Sequence, residues 1–431
     1  MSSPASTVPP PVAPFSVYSV HFDFPGGQAI KLRDPATNQF IGTTPEWVAS
    51  VRNEMAAYVR ATRPEMRVIF RGTPAVNGTY TVGADGMPIQ VDERRVTLAF
   101  DPGSGLSAPE VFRANGNLPD QIGLHPTTLH WYVREMPAPA HCPPAGTSTH
   151  LIATSWRALA TAPAPEAGLS NWVYRPLMEW TCRWAAGQND EKAICDAIIA
   201  SVASSGLRYG VLGIYEVRDL LLNQGGMCEA WYKTFQQMAQ CQGIFVYRRR
   251  FLVDWRQVAN GEVLWCAIVI RRGGLNQAVP THDASNFHDN HVGFPIPAGM
   301  AFPIVNITER RYRFWGLPHY HYDGHCINFL EYNGELYLYD ACFGMGPIQV
   351  NAPLPVNNLN VVQGGANLAP FKAAYLDHAI EYMLGSIWNG PDFLQSFHVP
   401  AFLYVNGMTV RMTDITQVVN GHDGLTFRWG N

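Results

Sequence analysis

Residues 225–244, GGMCEAWYKTFQQMAQCQGI, and residues 324–344, GHCINFLEYNGELYLYDACFG, decide how this chain is read. In the first stretch Gly225 and Gly226 interrupt an apolar run, and Trp231, Phe235 and Met238 follow Cys228 at the spacing of one buried helix face. Cys228 therefore stands in the first turn of an expected helix, on its inward side. There the positive end of the helix dipole and the first-turn backbone N–H groups favour a thiolate and can hold an oxyanion. Gly243 is the expected C-cap, and IFVYRRRFLVD resumes as a strand. The second stretch reads as a hairpin around Asn333-Gly334, the strongest short signal for a type I′ turn. A two-residue turn there sets residue 327 opposite 340, so His325 and Asp340 become diagonal neighbours about 7 Å apart. At that distance a carboxylate can fix the tautomer of an imidazole, which can in turn take the proton of a thiol.

The order Cys, His, Asp resembles the transglutaminase-like cysteine enzyme superfamily. So do the GGMC opening with Gly243-Ile244 fifteen residues beyond Cys228, and the equal interval from His325 to Asp340. The resemblance runs from Leu221 to Phe343. Cys326, Ile327 and Tyr337 depart from it, standing where many relatives carry aromatic residues around the His and before the Asp. It implies an α+β, papain-like core in which a helix bearing Cys228 packs on an antiparallel sheet bearing His325 and Asp340. The implied chemistry is acyl transfer from an amide through a thioester, with Cys228 as nucleophile, His325 as base and Asp340 as its orienter. A peptidase or amidase is the first expectation. A protein-glutamine transglutaminase or deamidase, or a catalytically inactive binding module of the same fold, are the alternatives. A protein, peptide or peptidoglycan-like amide is the implied partner, and no cofactor is required.

Other residues have two readings each. Gln224 and Tyr209, upstream of the cysteine, are oxyanion-site candidates or loop structure. His319, His321 and Trp231 are candidates for the substrate cleft, and His321 shares parity with His325 as a second possible base. His282, His288 and His291 with Asp283 and Asp289 invite a metal, but lack the i, i+4 helical pairing of a zincin and any accompanying Cys, so no metal is expected. Cys342 falls opposite His325 in the hairpin register, as a modulator of Cys228 or a small filler.

Of the 431 residues, 47% are hydrophobic, with 12 Trp, 18 Tyr and 21 Phe, enough for sizeable cores. A net charge of −4 and no basic cluster beyond Arg248–Arg250 argue against nucleic acid. The 8 cysteines form no CxxC pair and no regular framework, so reduced thiols are expected. No apolar run is long enough to span a membrane, and MSSPASTVPPPVAP lacks the basic and apolar regions of a leader. The expectation is a soluble chain made in the cytoplasm, with any export by a leaderless route.

Residues 1–14 read as a Pro-rich tail and 15–162 as a β-sandwich-like domain of short strands. That domain carries one expected helix, PEWVASVRNEMAAYVRAT, with Thr44 as N-cap and Pro45 at N1. Residues 163–431 form the catalytic domain. It opens with two helices, NWVYRPLMEWTCRWAAG and NDEKAICDAIIASVASSG, the second capped by Asn189 or Asp190 and closed by Gly206. A helical stretch around AAYLDHAIEYMLGSIW and late β-type runs complete it.

Overall fold

A computed structural model describes residues 13–134, 142–163, 169–209, 213–253 and 324–350 and several further strands, with side chains through residue 248 and over 326–349. The fold is mixed α+β, with helices and antiparallel sheets. Two compact units divide the chain: Met1–Pro163, Gly168–Ile194 and Gln237–Ile244 form one, and Ala164–Ala167, Cys195–Gln236 and Phe245–Asn431 the other.

The first unit contains β1 (Ser16–His21), β2 (Leu32–Arg33), β3 (Trp47–Val48), β4 (Arg52–Asn53), β5 (Met55–Val59) and β6 (Glu65–Arg71). It continues with β7 (Gly78–Met87), β8 (Val91–Leu98), β9 (Glu110–Arg113), β10 (Gly123–Arg134), β11 (Pro144–Ser155), β12 (Val173–Tyr174) and helix α1 (Arg175–Trp184). Ten of these strands make two five-stranded sheets, ordered β4-β3-β1-β6-β9 and β5-β11-β10-β7-β8. Alternation explains the shared core: Met66, Val68 and Phe70 of β6 and Leu129, Trp131 and Val133 of β10 are all buried in one cluster. Trp131 meets Phe70 and Phe112 edge to face at 5.9 and 5.4 Å, joining the sheets, while its Nε1 donates to Ser148 Oγ at 2.9 Å.

The helix expected from Pro45 does not form. Its residues make β3, β4 and β5: Trp47 and Val48 pair with Val20 and Ser19, and Met55–Val59 runs parallel to β11. Trp47, Val51, Met55 and Tyr58 imitate a helical stripe, yet Val51 is 79% exposed and Met55 to Tyr58 are buried on both faces. Thr44 and Pro45 therefore cap no helix, and Glu46 beside them is buried. Its Oε2 accepts the Phe22 N–H at 2.7 Å and its Oε1 the Asp23 N–H at 3.1 Å. Burial raises the Glu46 carboxyl from 4.5 to about 7 against those two hydrogen bonds.

Helix α2 (Glu191–Ser201) has residues in both units. Asp190 caps it, with Oδ1 accepting the Ala193 N–H at 2.9 Å, and Gly206 at φ 75° closes the turn that follows. The second unit then carries β13 (Arg208–Tyr209), α3 (Val217–Asn223), β14 (Gly225–Gly226) and the start of α4 (Cys228–Cys241). Two larger sheets follow. One is built from β15 (Tyr247–Val253), β20 (Gly324–Tyr332), β21 (Glu335–Asp340), β22 (Met345–Val350) and β25 (Leu425–Arg428), in the order β22-β21-β20-β15-β25. The other comprises β16 (Arg256–Gln257), β17 (Val263–Ile270), β18 (Ile304–Val305), β19 (His321–Tyr322), β23 (Ile380–Asn389) and β24 (Asp392–Pro400). All strands of this second sheet come from chain that leaves the first after β15 or β22 and returns to it at β20 or β25.

Within AAYLDHAIEYMLGSIW the helix expectation is likewise corrected. Ile380–Asn389 is a strand between β17 and β24, so its spacing reflects a strand with pairing partners on both edges. The Pro-rich residues 1–12, the Pro-rich 135–141 and the late β-type run with its expected hairpin turn at Asn406-Gly407 lie outside the described residues.

Candidate active site

Close packing ahead of the cysteine accounts for Gly226. β14 pairs in parallel with β13, Gly226 beside Tyr209, and a Cβ on Gly226 would lie 3.0 Å from Ala230 Cβ and 3.1 Å from Ile214 Cγ2. The Met227 N–H donates to Ile214 O at 2.9 Å, and the Met227 carbonyl accepts the Trp231 N–H at 3.1 Å, so α4 begins at Cys228. On the outer side Lys233 Nζ binds Glu216 Oε1 at 2.6 Å, Glu229 Oε1 at 3.1 Å and the Tyr215 carbonyl at 3.2 Å, fixing the first turn to the residues before α3. Gly243, at φ 77°, ends the chain's helical course as expected.

The inner face of α4 is pinned to the β15-β20-β21 sheet. Phe235 stacks on Tyr339 with centroids 5.2 Å apart, and Asn328 Nδ2 donates to the carbonyls of Tyr232 at 3.1 Å and Tyr247 at 3.4 Å. Gln236 Nε2 donates to Val246 O at 2.7 Å, and the Arg248 guanidinium lies 5.5 Å from the Tyr232 ring. Tyr339 also donates to Asp196 Oδ1 of α2 at 2.7 Å; burial first, then the neighbouring Cys195 and Asp196, hold its hydroxyl far above the usual tyrosine range.

The hairpin has the register its turn dictates. Asn333 and Gly334 have φ of 53° and 80°, both left-handed as a type I′ turn requires, and Asn328 lies opposite Tyr339 through to Tyr332 opposite Glu335. The face of this pair that meets α4 carries Cys326, Asn328 and Tyr339, since Cys326 also raises the Tyr232 hydroxyl after burial has done so. Ile327 takes the alternate position, and Asp340 lies beyond the last pair of these two strands, where β21 pairs irregularly with β22. His325 is placed in β20 opposite Phe251; its side chain lies outside the described residues.

Asp340, fully buried at the end of β21, closes a turn. Its Oδ1 accepts the Cys342 N–H at 2.9 Å and its carbonyl accepts the Phe343 N–H at 3.3 Å. The Cys342 thiol is buried in this turn. Burial pushes that thiol well above its usual range, and the charges of Asp340 and then Cys228 push it further. Cys228, half-buried at the head of α4, thus lies within electrostatic reach of the turn that Asp340 caps. Tyr209 holds both peptides: its backbone pairs with Gly226 and its ring meets Phe343 at 5.6 Å, edge on.

The remaining candidates separate. Gln224 is exposed and left-handed at φ 55°, the C-cap of α3, and its carbonyl accepts the Arg208 N–H at 2.9 Å. Tyr209 is buried as a packing residue. Trp231 is fully buried in the core below Cys228, with no hydrogen-bond partner for its indole Nε1 among the described residues. His321 is placed in β19 opposite Val269, with its side chain outside the described residues; His319, His282, His288 and His291 lie wholly outside them. Among the described residues no three His, Cys, Asp or Glu side chains gather as a metal would require. Asn328 and Asp196 escaped the sequence reading, although a lone amide in the apolar run CINFL was a visible sign of a buried polar clamp. No described helix is long and apolar enough to cross a membrane. No protein-family model matches the chain, and no curated protein matches it.

Proposed function

We propose that this protein is a thiol-dependent acyl-transfer enzyme acting on amide bonds, a transglutaminase-like cysteine peptidase or amidase. It would pair a papain-like core with an N-terminal β-sandwich. The observation that carries the reading is the start of α4 at Cys228. That helix is pinned to an antiparallel sheet bearing His325 and Asp340, and the turn after Asp340 lies within electrostatic reach of the thiol.

In this reading Cys228 attacks the amide carbonyl, forming a C–S bond as the C–N bond breaks. His325 takes the thiol proton and returns it to the departing amine, and Asp340 stabilises the imidazolium. First-turn N–H groups of α4 receive the developing oxyanion. The thioester is then resolved by water, giving hydrolysis or glutamine deamidation, or by a primary amine, giving a crosslink.

Mass spectrometry of a mixed protein substrate with a labelled primary amine tests this, using the protein beside its Cys228→Ala variant. Cleaved peptides, deamidated glutamine or amine adducts made only by the parent protein support the proposal and name the acceptor; identical spectra refute it. A second reading, an inactive binding module of the same fold, is favoured by one observation: the strand face toward α4 carries Cys326 and Asn328, the latter bonded to the helix backbone as a structural clamp. In that case no acyl-thioester would be trapped on Cys228 with any amide or activated ester.

A further inference from the structure

Cys342 has no part in the acyl-transfer scheme, yet its turn is tied to the chain just before the nucleophile by contacts independent of that scheme. Tyr209 acts as a staple: its backbone pairs with Gly226, two residues before Cys228, and its ring rests on Phe343, the residue after Cys342. Phe235 stacked on Tyr339 and Asn328 bonded to the Tyr232 carbonyl hold the same helix end and strand end together from the other side. The two thiols differ in access, Cys228 half-buried and Cys342 buried at 1% exposure. Asp340 accepts a hydrogen bond from the Cys342 backbone N–H, which sets its carboxylate beside that residue. Such an arrangement pairs an accessible attacking thiol with a sheltered resolving one that has a carboxylate at hand to carry its proton.

We infer that Cys228 and Cys342 are a redox pair, joined by a hydroperoxide into a reversible disulfide that silences Cys228. The Cys228 thiolate attacks one peroxide oxygen; the O–O bond breaks, leaving a sulfenic acid on Cys228 and, after protonation, one water or alcohol. Cys342 sulfur then attacks the Cys228 sulfur and an S–S bond forms as the S–O bond breaks. The Cys342 proton passes through the Asp340 carboxylate to the departing hydroxyl, which leaves as water. A dithiol reverses the bond by exchange and is itself oxidised. The inference rests on the proposed reading of Cys228 only for its consequence, loss of acyl transfer; formation of the bond is read without any substrate.

The test is peptide mapping of the full chain under non-reducing conditions after treatment with hydrogen peroxide, then dithiothreitol. The expected result is a linked pair of peptides containing Cys228 and Cys342, lost again on reduction. In Cys342→Ser, Cys228 is expected to advance to sulfinic and sulfonic acids that dithiothreitol does not restore. Overoxidation of Cys228 in the parent protein with Cys342 still free, or linkage of Cys228 to Cys326, overturns the inference. Thioester trapping on the reduced protein reports separately on the acyl-transfer reading, so either can fail alone.

Discussion

Replacing Glu46 by Gln should remove a pH dependence that this one carboxyl imposes on the first unit. Glu46 is 2% exposed, so desolvation acts on it almost undiluted, and its acidity moves from 4.5 to about 7. At about 1.36 kcal/mol for each tenfold change in proton affinity, that rise corresponds to about 3 kcal/mol. The folded state binds the proton more tightly than the unfolded state. Its stabilisation is therefore complete below 4.5, falls by about 1.36 kcal/mol per pH unit above that, and is gone once the pH passes about 7. In Glu46→Gln the side-chain amide would keep one acceptor for the N–H groups of Phe22 and Asp23 and turn a donor toward the other, a penalty that does not vary with pH. Hydrogen exchange of full-length protein and variant, followed in peptides covering β1 and β3 and corrected for intrinsic rates, isolates the difference. The parent should lose up to about 3 kcal/mol of protection relative to Glu46→Gln between those pH limits. Parallel profiles for the two proteins would refute the reasoning, because they would mean that Glu46 has the same proton affinity folded and unfolded.

Three further outcomes concern the site. With iodoacetamide at neutral pH, Cys228 should be alkylated ahead of the exposed Cys142, while Cys182, pushed up to about 12 by burial, and the buried Cys241 and Cys342 stay unlabelled; a peptide time course in which Cys142 leads counts against an activated thiol. Phe235→Ala, which empties a fully buried site and its stack on Tyr339, should cost about 3–5 kcal/mol in urea unfolding, and a loss below about 1 kcal/mol would show that α4 is not anchored there. Asp340→Asn keeps an oxygen for the Cys342 N–H but removes the charge; acylation measured from the burst of amine release should fall about 10³–10⁴-fold with little change in KM, and an unchanged rate would remove Asp340 from the mechanism.

What could be read in advance was local. Asn333-Gly334 specifies left-handed φ at two adjacent residues, and that alone sets every pairing from Asn328–Tyr339 to Tyr332–Glu335. Gly225, Gly226, the apolar spacing and Gly243 likewise mark α4 without reference to distant chain. The failures occurred where pairing partners are remote. PEWVASVRNEMAAYVRAT has helical spacing by composition, but Trp47 is claimed by Val20 of β1 and Met55–Val59 by β11, far along the chain. Ile380–Asn389 is claimed by β17 in the same way. At the site, the types and intervals of Cys228 and Asp340 were visible. The ties that bring them near, Tyr209 between Gly226 and Phe343 and Asn328 between β20 and the Tyr232 carbonyl, exist only once the sheet has formed.

The six strands β16 to β19, β23 and β24 have an architectural consequence. Leu252 is paired with Gly324, so the chain between them departs from and rejoins adjacent points of one sheet; the chain after β22 likewise comes back to β15 through β25. Closing such an excursion costs free energy that grows only with the logarithm of its length. A whole sheet can thus be lengthened, shortened or exchanged while the strands holding His325 and Asp340 keep their register. The second unit has the form of a fixed-geometry chassis carrying an attachment whose length the chassis barely constrains.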